Sequence, residues 1–193
     1  MALPSVGPVS EVASVMEGFA RPWYIAGGWA IDLFVGRETR EHADVDVAIL
    51  RRDQIELRSA LATWTFEKVV EGQRFPWGEG KWLDPPVHEV HADRTASSPS
   101  HLEILLNESS GPTWRFRRNV EVTRPLDRIG MRTSDGVPFL APEIALLFKA
   151  KTPTDKDVRD FELVRPRLAA EPREWLRRAL GICYPGHPWR LLL

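Results

Sequence analysis

The chain has one cysteine, no long apolar run and no visible secretion signal, and each shortage excludes a class of protein. Because Cys183 is the sole cysteine, an internal disulfide and a cysteine zinc cluster are both excluded. No apolar run reaches the roughly 18 residues of a membrane-spanning helix, so no segment is predicted to cross a membrane. The N-terminal residues lack a basic region followed by an apolar core, so we expect a cytoplasmic protein.

The chain also lacks an excess of either positive or negative charge. The 26 basic and 27 acidic side chains leave a net charge of −1, which argues against general electrostatic capture of nucleic acid. No repeat or low-complexity tract is visible. A chain of 193 residues with 43% hydrophobic side chains fits a soluble globular protein with one domain, or one domain and a small helical appendage.

Two glycines and two carboxylates form the most informative pattern. Gly27 and Gly28 follow a short apolar run, and Asp44 and Asp46 open a second one, in which alternation places both carboxylates on one face of a strand. Paired carboxylates repel each other by roughly 1–4 kcal/mol, and Mg²⁺ accepts carboxylates together with phosphate oxygens. A glycine turn lets backbone N–H groups approach a phosphate. The pattern predicts phosphoryl or nucleotidyl transfer on a divalent metal; surface acids beside an ordinary turn are the alternative.

The arrangement of predicted elements divides the chain near Leu140. Helices and strands mix before this point, and the remainder is mainly helical, with Thr154 and Asp157 spaced to cap one helix. We therefore predict an α/β domain over residues 1–140 and a C-terminal helical subdomain over 141–193. Residues 72–86 are predicted to form a long loop, whose Trp77 and Trp82 are candidates for walls of a substrate pocket.

Two stretches carry a resemblance to a known family. Residues 27–51, GGWAIDLFVGRETREHADVDVAILR, resemble the DNA polymerase beta-like nucleotidyltransferase superfamily, and within it small aminoglycoside and lincosamide nucleotidyltransferases. Residues 139–162, FLAPEIALLFKAKTPTDKDVRDFE, are similar to the helical part of related enzymes. The resemblance implies an α/β (α+β) core with a mixed sheet flanked by helices. It also implies that Gly27, Gly28 and Lys149 bind the nucleotide.

The resemblance further implies a third metal-side carboxylate between these stretches, where the match is poor. Glu103 is a lone acid inside an apolar strand, where an unpaired carboxylate costs several kcal/mol. Glu89 lies between His88 and His91, an environment that itself looks like a metal site. We predict that Glu103 is the third carboxylate, with Glu89 as the alternative.

Other charged residues have two interpretations each. Lys149 either contacts phosphate or substrate, as the resemblance implies, or extends its charged end to solvent from an apolar helix face. Lys156, Asp157 and Asp160 either orient Lys149 or belong to a solvated helix with local ion pairs. Arg37, Arg40 and His42 either contact a triphosphate or form a polar surface connection.

The predicted function is therefore a nucleotidyltransferase that moves a nucleoside monophosphate from a nucleoside triphosphate to a hydroxyl of a small-molecule acceptor. Asp44, Asp46 and Glu103 would hold two Mg²⁺ ions. An aminoglycoside is one acceptor that fits. One alternative is a nucleotidyltransferase that modifies RNA or protein, and an RNA acceptor could be contacted by Arg115, Arg117 and Arg118. The other alternative is a catalytically idle relative that binds a nucleotide.

Overall fold

The computed structural model describes residues 7–95 and 97–193, and within them helices cover a large mixed sheet. The helices are α1 (Gly7–Met16), α2 (Gly27–Val35), α3 (Gln54–Ala60), α4 (Pro142–Lys149), α5 (Asp155–Val164), α6 (Ala170–Cys183) and α7 (Trp189–Leu192). The strands are β1 (Trp23–Ile25), β2 (Asp46–Leu50), β3 (Thr65–Val70), β4 (Gln73–Pro76), β5 (Glu89–Asp93), β6 (His101–Ser110), β7 (Thr113–Phe116), β8 (Asn119–Pro125), β9 (Gly130–Arg132) and β10 (Pro138–Leu140). None of the helices in this described part is long and apolar enough to cross a bilayer.

The sheet has the strand order β4-β3-β5-β6-β2-β1-β10-β9, and β7 and β8 extend from β6 as a hairpin. The pairings of β2 with β6 and of β1 with β10 are parallel, and the remaining pairings are antiparallel. The predicted mixed sheet flanked by helices is therefore confirmed.

Strand β2 lies in the middle of the sheet and separates two hydrophobic clusters. Val47 and Ile49 pack in a cluster with α1 and α3, whereas Ala48 packs in a second cluster with α4, α5 and α6. This alternation follows from the two-residue period of a strand. Because both faces of β2 are buried, the strand places the Asp46 side chain at a fixed position where the strand begins.

The C-terminal helices pack against α2 rather than apart from the sheet. Pro142 begins α4, in the first-turn position that suits proline. The predicted cap of α5 is present, since Thr154 and Asp157 form a reciprocal capping box. The change from strands to helices falls at the predicted boundary, but residues 141–193 share a hydrophobic cluster with α2 and β8. The division into domains 1–140 and 141–193 stays a prediction, and residues 1–6 of the first lie outside the described chain.

Several short elements differ from the sequence-based expectation. Within the predicted loop 72–86, Gln73–Pro76 forms β4, whose four side chains are all exposed and so show no apolar alternation. Strands β9 and β10 have three residues each, too few for a periodic signal. Asp53 directly precedes α3, and although aspartate is a common capping residue, its side chain makes no capping hydrogen bond.

Candidate active site

The glycine turn connects β1 to α2 and presses against the first carboxylate of β2. Gly27 has φ +58°, and a Cβ atom there would lie 1.8 Å from Asp46 Oδ2. A Cβ on Gly28 would lie 2.4 Å from Arg40 Nη2 and 2.5 Å from His42 Cε1. Both positions therefore require glycine. The turn brings the N-terminal backbone of α2, where amide N–H groups favour phosphate oxygens, next to Asp46.

Three carboxylates, Asp44, Asp46 and Glu103, form what we call the acidic face. The parallel register pairs Asp46 at the start of β2 with Glu103 in β6, so their side chains project from the same side of the sheet. Burial and the neighbouring Asp44 raise the pKa of Asp46 from 3.8 to about 6. Burial and the carboxylate of Asp46 raise the pKa of Glu103 from 4.5 to about 7. Crowded acids of this kind favour a bound cation.

The acidic face has no direct ion-pair partner within residues 7–95 and 97–193. Lys149 lies close enough to lower the pKa of Asp46, and Arg74 close enough to lower that of Glu103, but burial and the neighbouring carboxylates raise both pKa values by more. Carboxylate oxygens are the ligands that Mg²⁺ and other hard divalent cations prefer. The chemistry of the three carboxylates therefore suits the divalent metal that the sequence pattern predicts, although among the described residues the ligand atoms that lie within 4.8 Å of one another are those of Glu89, His91 and Glu103.

The alternative carboxylate, Glu89, lies on the same side of the sheet but one strand farther from Asp46. It begins β5 and pairs with Leu105, whereas His91 of β5 pairs with Glu103. One ligand atom from each of Glu89, His91 and Glu103 lies within 4.8 Å of the others. Glu89 already accepts a hydrogen bond of 3.0 Å from His91 Nε2. The structure thus brings both candidates close together, and the assignment of Glu103 as third carboxylate stays a prediction.

Lys149, at the end of α4, lines the cleft and contacts two carboxylates of α5. Its Nζ lies 2.7 Å from Asp157 Oδ1 and 3.0 Å from Asp160 Oδ2. Burial alone would raise the pKa of Asp157, but hydrogen bonds from Lys149 and Thr154 hold it below its usual value. Asp160 is only 2% exposed. These contacts support the interpretation that Asp157 and Asp160 orient Lys149, rather than that of a solvated helix.

Behind the glycine turn lies a set of paired side chains, which we call the buried ion network: Asp32, Arg40, His42, Lys149 and Asp160. His42 Nε2 lies 2.6 Å from Asp32 Oδ2, and His42 Nδ1 lies 2.9 Å from Arg40 Nη1. Arg40 Nη2 in turn lies 3.6 Å from Asp160 Oδ2. The network therefore connects α2 to α5 and supports the turn from behind.

The sequence left two interpretations open for Arg40 and His42, a triphosphate contact or a polar surface connection, and it did not identify Asp32 at all. The side chain of His42 is 5% exposed and that of Asp32 is 2% exposed. Asp32 is a lone acid within the apolar helix Gly27–Val35, and that isolation is the signal that could have identified it.

A cleft of about 380 Å³ opens beside Glu103, between the sheet face, α4 and the β7–β8 hairpin. Its charged and polar lining comprises His88, Glu89, Glu103, Asn107, Arg117, Arg118, Lys149, Lys151, Thr152 and Asp157. Gly27 borders one end, and Phe148 contributes an aromatic wall. The cleft thus connects Gly27 of the glycine turn, Glu103 of the acidic face and the C-terminal helices, whereas Asp44 and Asp46 are not among its lining residues.

The loop tryptophans do not line this cleft. Trp77 is 3% exposed and belongs to the first hydrophobic cluster, where its ring packs edge-on against Phe66. Trp82 is 48% exposed. Neither side chain is among the cleft's lining residues, so the expectation that they wall the substrate pocket is wrong for this cleft. Burial of Trp77 could not be inferred from a segment that lacks periodicity.

Comparison with known proteins adds three findings. The family model of aminoglycoside-2''-adenylyltransferase matches residues 8–162. No curated protein sequence matches the chain. The structure is similar to that of the lincosamide antibiotic adenylyltransferase LnuA bound to lincomycin, with a TM-score of 0.57 at 17% identity over 86% of this chain and 98% of that one.

A second similar structure is that of ANT(2'')-Ia in complex with adenylyl-2''-tobramycin. Its TM-score is 0.58 at 20% identity, over 91% of this chain and 96% of that one. At such identities the likeness shows the fold, and the predicted polymerase beta-like nucleotidyltransferase fold is confirmed.

Proposed function

The chain belongs to the aminoglycoside-2''-adenylyltransferase family, and on that premise we propose how its residues carry out nucleotidyl transfer to a small molecule. Enzymes of this family are nucleotidyltransferases, which use a nucleoside triphosphate and a divalent metal. The proposal is that an acceptor hydroxyl attacks the α-phosphorus, a new O–P bond forms, and the bond to the β-phosphate breaks to release pyrophosphate. The single observation that carries it is the acidic face, whose carboxylates raise one another's pKa values and whose Asp46 lies against the glycine turn.

Each predicted site residue has a part in this scheme. The carboxylates of Asp44, Asp46 and Glu103 would hold two Mg²⁺ ions. When bound, such ions neutralise charge on the entering and leaving oxygens. The backbone N–H groups at Gly27 and Gly28 would bind the β- and γ-phosphates. Lys149, held by Asp157 at 2.7 Å, would keep its ammonium group at the cleft wall, where it favours the charge of the triphosphate.

Glu103 is also suited to accept the proton of the acceptor hydroxyl. Without metal its pKa is raised to about 7, and a bound divalent cation would lower this value, so that the carboxylate is ionised and able to accept a proton. Burial and the neighbouring Asp46 are the causes of this raised pKa. The protein's contribution is then mainly to position the reactants and to hold one proton acceptor beside the attacking oxygen.

The acceptor class is supported by the family and by the cleft. LnuA and ANT(2'')-Ia are antibiotic-modifying enzymes whose structures hold lincomycin and adenylyl-2''-tobramycin. A cleft of about 380 Å³ falls within the roughly 300–1,000 Å³ of small-molecule pockets. A net charge of −1 does not favour a general RNA acceptor. We therefore propose a small polyhydroxylated molecule, with antibiotic modification as one outcome.

The test is a transfer assay with a nucleoside triphosphate, Mg²⁺, and pooled small hydroxyl compounds or tRNA, read by mass shift and pyrophosphate release. We expect a small molecule to gain one nucleoside monophosphate. Label on tRNA alone, with affinity that falls steeply as salt rises, would contradict the small-molecule acceptor. Release of no pyrophosphate with any acceptor would contradict the enzymatic function.

A matched pair of variants tests the third carboxylate. Glu103→Gln should reduce transfer by roughly 1,000-fold, about 4 kcal/mol, because it removes both a metal ligand and the proton acceptor. Glu89→Gln should reduce transfer by less than about tenfold, or 1.4 kcal/mol. The reverse ranking would assign the role to Glu89.

A further inference from the structure

One face of strands β5 and β6 carries a cluster of three metal-ligating side chains, which we call the imidazole cluster: Glu89, His91 and Glu103. Glu89 and His91 are two residues apart on β5, and His91 pairs with Glu103 of β6, so all three side chains project from the same face. Val90 and Ile104, which point the other way, are fully buried in the first hydrophobic cluster. The position of the imidazole cluster is therefore fixed by the core of the sheet.

The spacing within the imidazole cluster is close to that of ligands around one metal ion. One ligand atom from each of the three side chains lies within 4.8 Å of the others, and His91 Nε2 lies 3.0 Å from Glu89 Oε1. Zn²⁺ holds nitrogen and oxygen ligands at about 2.0–2.2 Å, and so no more than about 4.4 Å from one another. A small movement of the side chains would therefore complete such a site.

Two further side chains on the same face hold the imidazole of His91. Its Nδ1 lies 3.2 Å from His101 Nε2, and His101 Nδ1 lies 2.7 Å from Asp93 Oδ1. The His91 side chain is only 8% exposed. A metal-ligating histidine commonly has its second ring nitrogen bonded to an outer partner, which fixes the tautomer and the orientation of the ring. His101 and Asp93 provide this support.

The row Glu89–His91–His101–Asp93 contains one contact more than two neutral imidazoles can satisfy. Each of its three contacts needs a hydrogen, two neutral imidazoles carry one N–H each, and ionised carboxylates carry none. If Asp93 accepts from His101 and His101 accepts from His91, the lone pair of His91 Nε2 faces the carboxylate of Glu89. In the metal-free protein a third proton fills this contact, as a hydrogen bond from His91 to Glu89. A metal ion can take the place of that proton, which leaves to solvent.

The charges around the imidazole cluster favour a divalent cation. Burial and the carboxylates of Asp46 and Glu89 raise the pKa of Glu103 to about 7, against a smaller opposite effect of Arg74. Arg117 lies close enough to Glu89 for their charges to interact. Within residues 7–95 and 97–193, however, neither guanidinium forms a salt bridge with Glu89 or Glu103. Two carboxylates and a neutral imidazole thus leave a net negative charge for a cation to neutralise.

We propose that Glu89, His91 and Glu103 bind a divalent transition-metal ion, with Zn²⁺ as the best match, at a site separate from the Mg²⁺ ligands Asp44 and Asp46. An imidazole nitrogen suits Zn²⁺, whereas Mg²⁺ prefers oxygen ligands. Three protein ligands leave a coordination position open. Because Glu89 and Glu103 line the cleft, an ion bound between them borders it.

The test is a calorimetric titration of the nucleotide-free protein with Zn²⁺ and, separately, with Mg²⁺. We expect Zn²⁺ to bind at least roughly 100-fold more tightly than Mg²⁺, because only Zn²⁺ gains from the imidazole. Equal affinities would show that His91 is not a ligand, and no binding of Zn²⁺ would show that the imidazole cluster holds no metal. Either result would overturn the proposal.

Variants of the three positions locate the ion. His91→Gln and Glu89→Gln should each weaken Zn²⁺ binding by at least roughly 100-fold. The Glu89 side chain is 34% exposed, so Glu89→Gln still provides the test if the buried His91 variant does not fold. His101→Gln removes only the outer partner and should weaken binding roughly tenfold. Zn²⁺ binding that persists in both Glu89→Gln and His91→Gln would show that the ion lies elsewhere.

Two controls separate the imidazole cluster from its surroundings. His88→Gln should leave Zn²⁺ binding unchanged, because His88 lines the cleft but lies outside the cluster. Asp46→Asn should weaken Zn²⁺ binding less than His91→Gln does. If Asp46→Asn has the larger effect, the ion lies on the acidic face and the proposal is wrong. These titrations need neither nucleotide nor turnover, so their failure is distinct from an absence of pyrophosphate release, which would contradict the proposed function.

Discussion

The acidic face and the buried ion network lie on two sides of the same glycine turn, and they differ in what neutralises their carboxylates. In the network, Asp160 lies 3.0 Å from Lys149 and 3.6 Å from Arg40, and Asp32 lies 2.6 Å from His42. On the acidic face, Asp46 and Glu103 have each other as neighbours, and burial raises the pKa of both.

This difference separates a scaffold from a binding site. Carboxylates matched by protein cations hold α2 and α5 together and need nothing further. Carboxylates that face one another without a cation destabilise the folded protein until a ligand supplies positive charge. Substitutions in the two regions should therefore have opposite effects on activity and stability, which provides three tests.

The largest effect is expected for Asp46→Asn. Turnover should fall by more than roughly 1,000-fold, about 4 kcal/mol, because a proposed metal ligand is lost. Asp44→Asn should have the same effect. The free energy of unfolding should not fall, because the substitution removes a buried charge that its neighbours repel. Pyrophosphate release and urea denaturation measure the two quantities. Full activity in either variant would invalidate the proposed mechanism.

An intermediate effect is expected for Asp160→Asn in the buried ion network. Loss of this carboxylate leaves Arg40 without its counter-charge and Lys149 with Asp157 as its remaining partner, so the free energy of unfolding should fall by about 3 kcal/mol. Asp155→Asn, on an exposed position of the same helix, should change it by less than about 0.5 kcal/mol. If Asp160→Asn is as stable as its control in urea denaturation, the network does not stabilise the fold as we describe.

The smallest effect is expected for the dependence of the free energy of unfolding on pH and on bound Mg²⁺. The folded pKa values of Asp46 and Glu103, about 6 and about 7, lie above the ordinary values of 3.8 and 4.5. The folded state therefore binds more protons than the unfolded chain in this range, and metal-free protein should lose stability as pH rises through it. The raised pKa of Asp46 corresponds to about 3 kcal/mol over its whole titration, of which roughly half falls between about pH 5 and about pH 8.

Urea denaturation at about pH 5 and about pH 8, with EDTA and with Mg²⁺, measures this dependence. Mg²⁺ should restore stability at the higher pH and have little effect at the lower one. Asp46→Asn is the control, because it should reduce the pH dependence in EDTA. Stability of the metal-free protein that rises between these pH values would show that the acidic face is neutralised in some other way.

Much of the fold and part of the site could be predicted from local sequence. The mixed sheet, the helical C-terminal part and the capping box of Thr154 and Asp157 follow from patterns that span a few residues. The glycine turn and the two aspartates are also local, because fewer than twenty residues separate Gly27 from Asp46. The short strands β9 and β10 were not predicted, because three residues are too few to show the alternation of apolar and polar side chains that indicates a strand.

The sequence by itself determined which residues could form a nucleotidyltransferase site, and the tertiary structure decided which of them meet. Glu103 lies beside Asp46 only because β2 and β6, far apart in the chain, pair in one parallel register. A shift of one residue in that register would turn Glu103 to the other face of the sheet. The burial of Asp32 and His42 likewise depends on packing between elements. Such contacts have no local signature, because the free energy that fixes them comes from burial of surfaces distant in sequence.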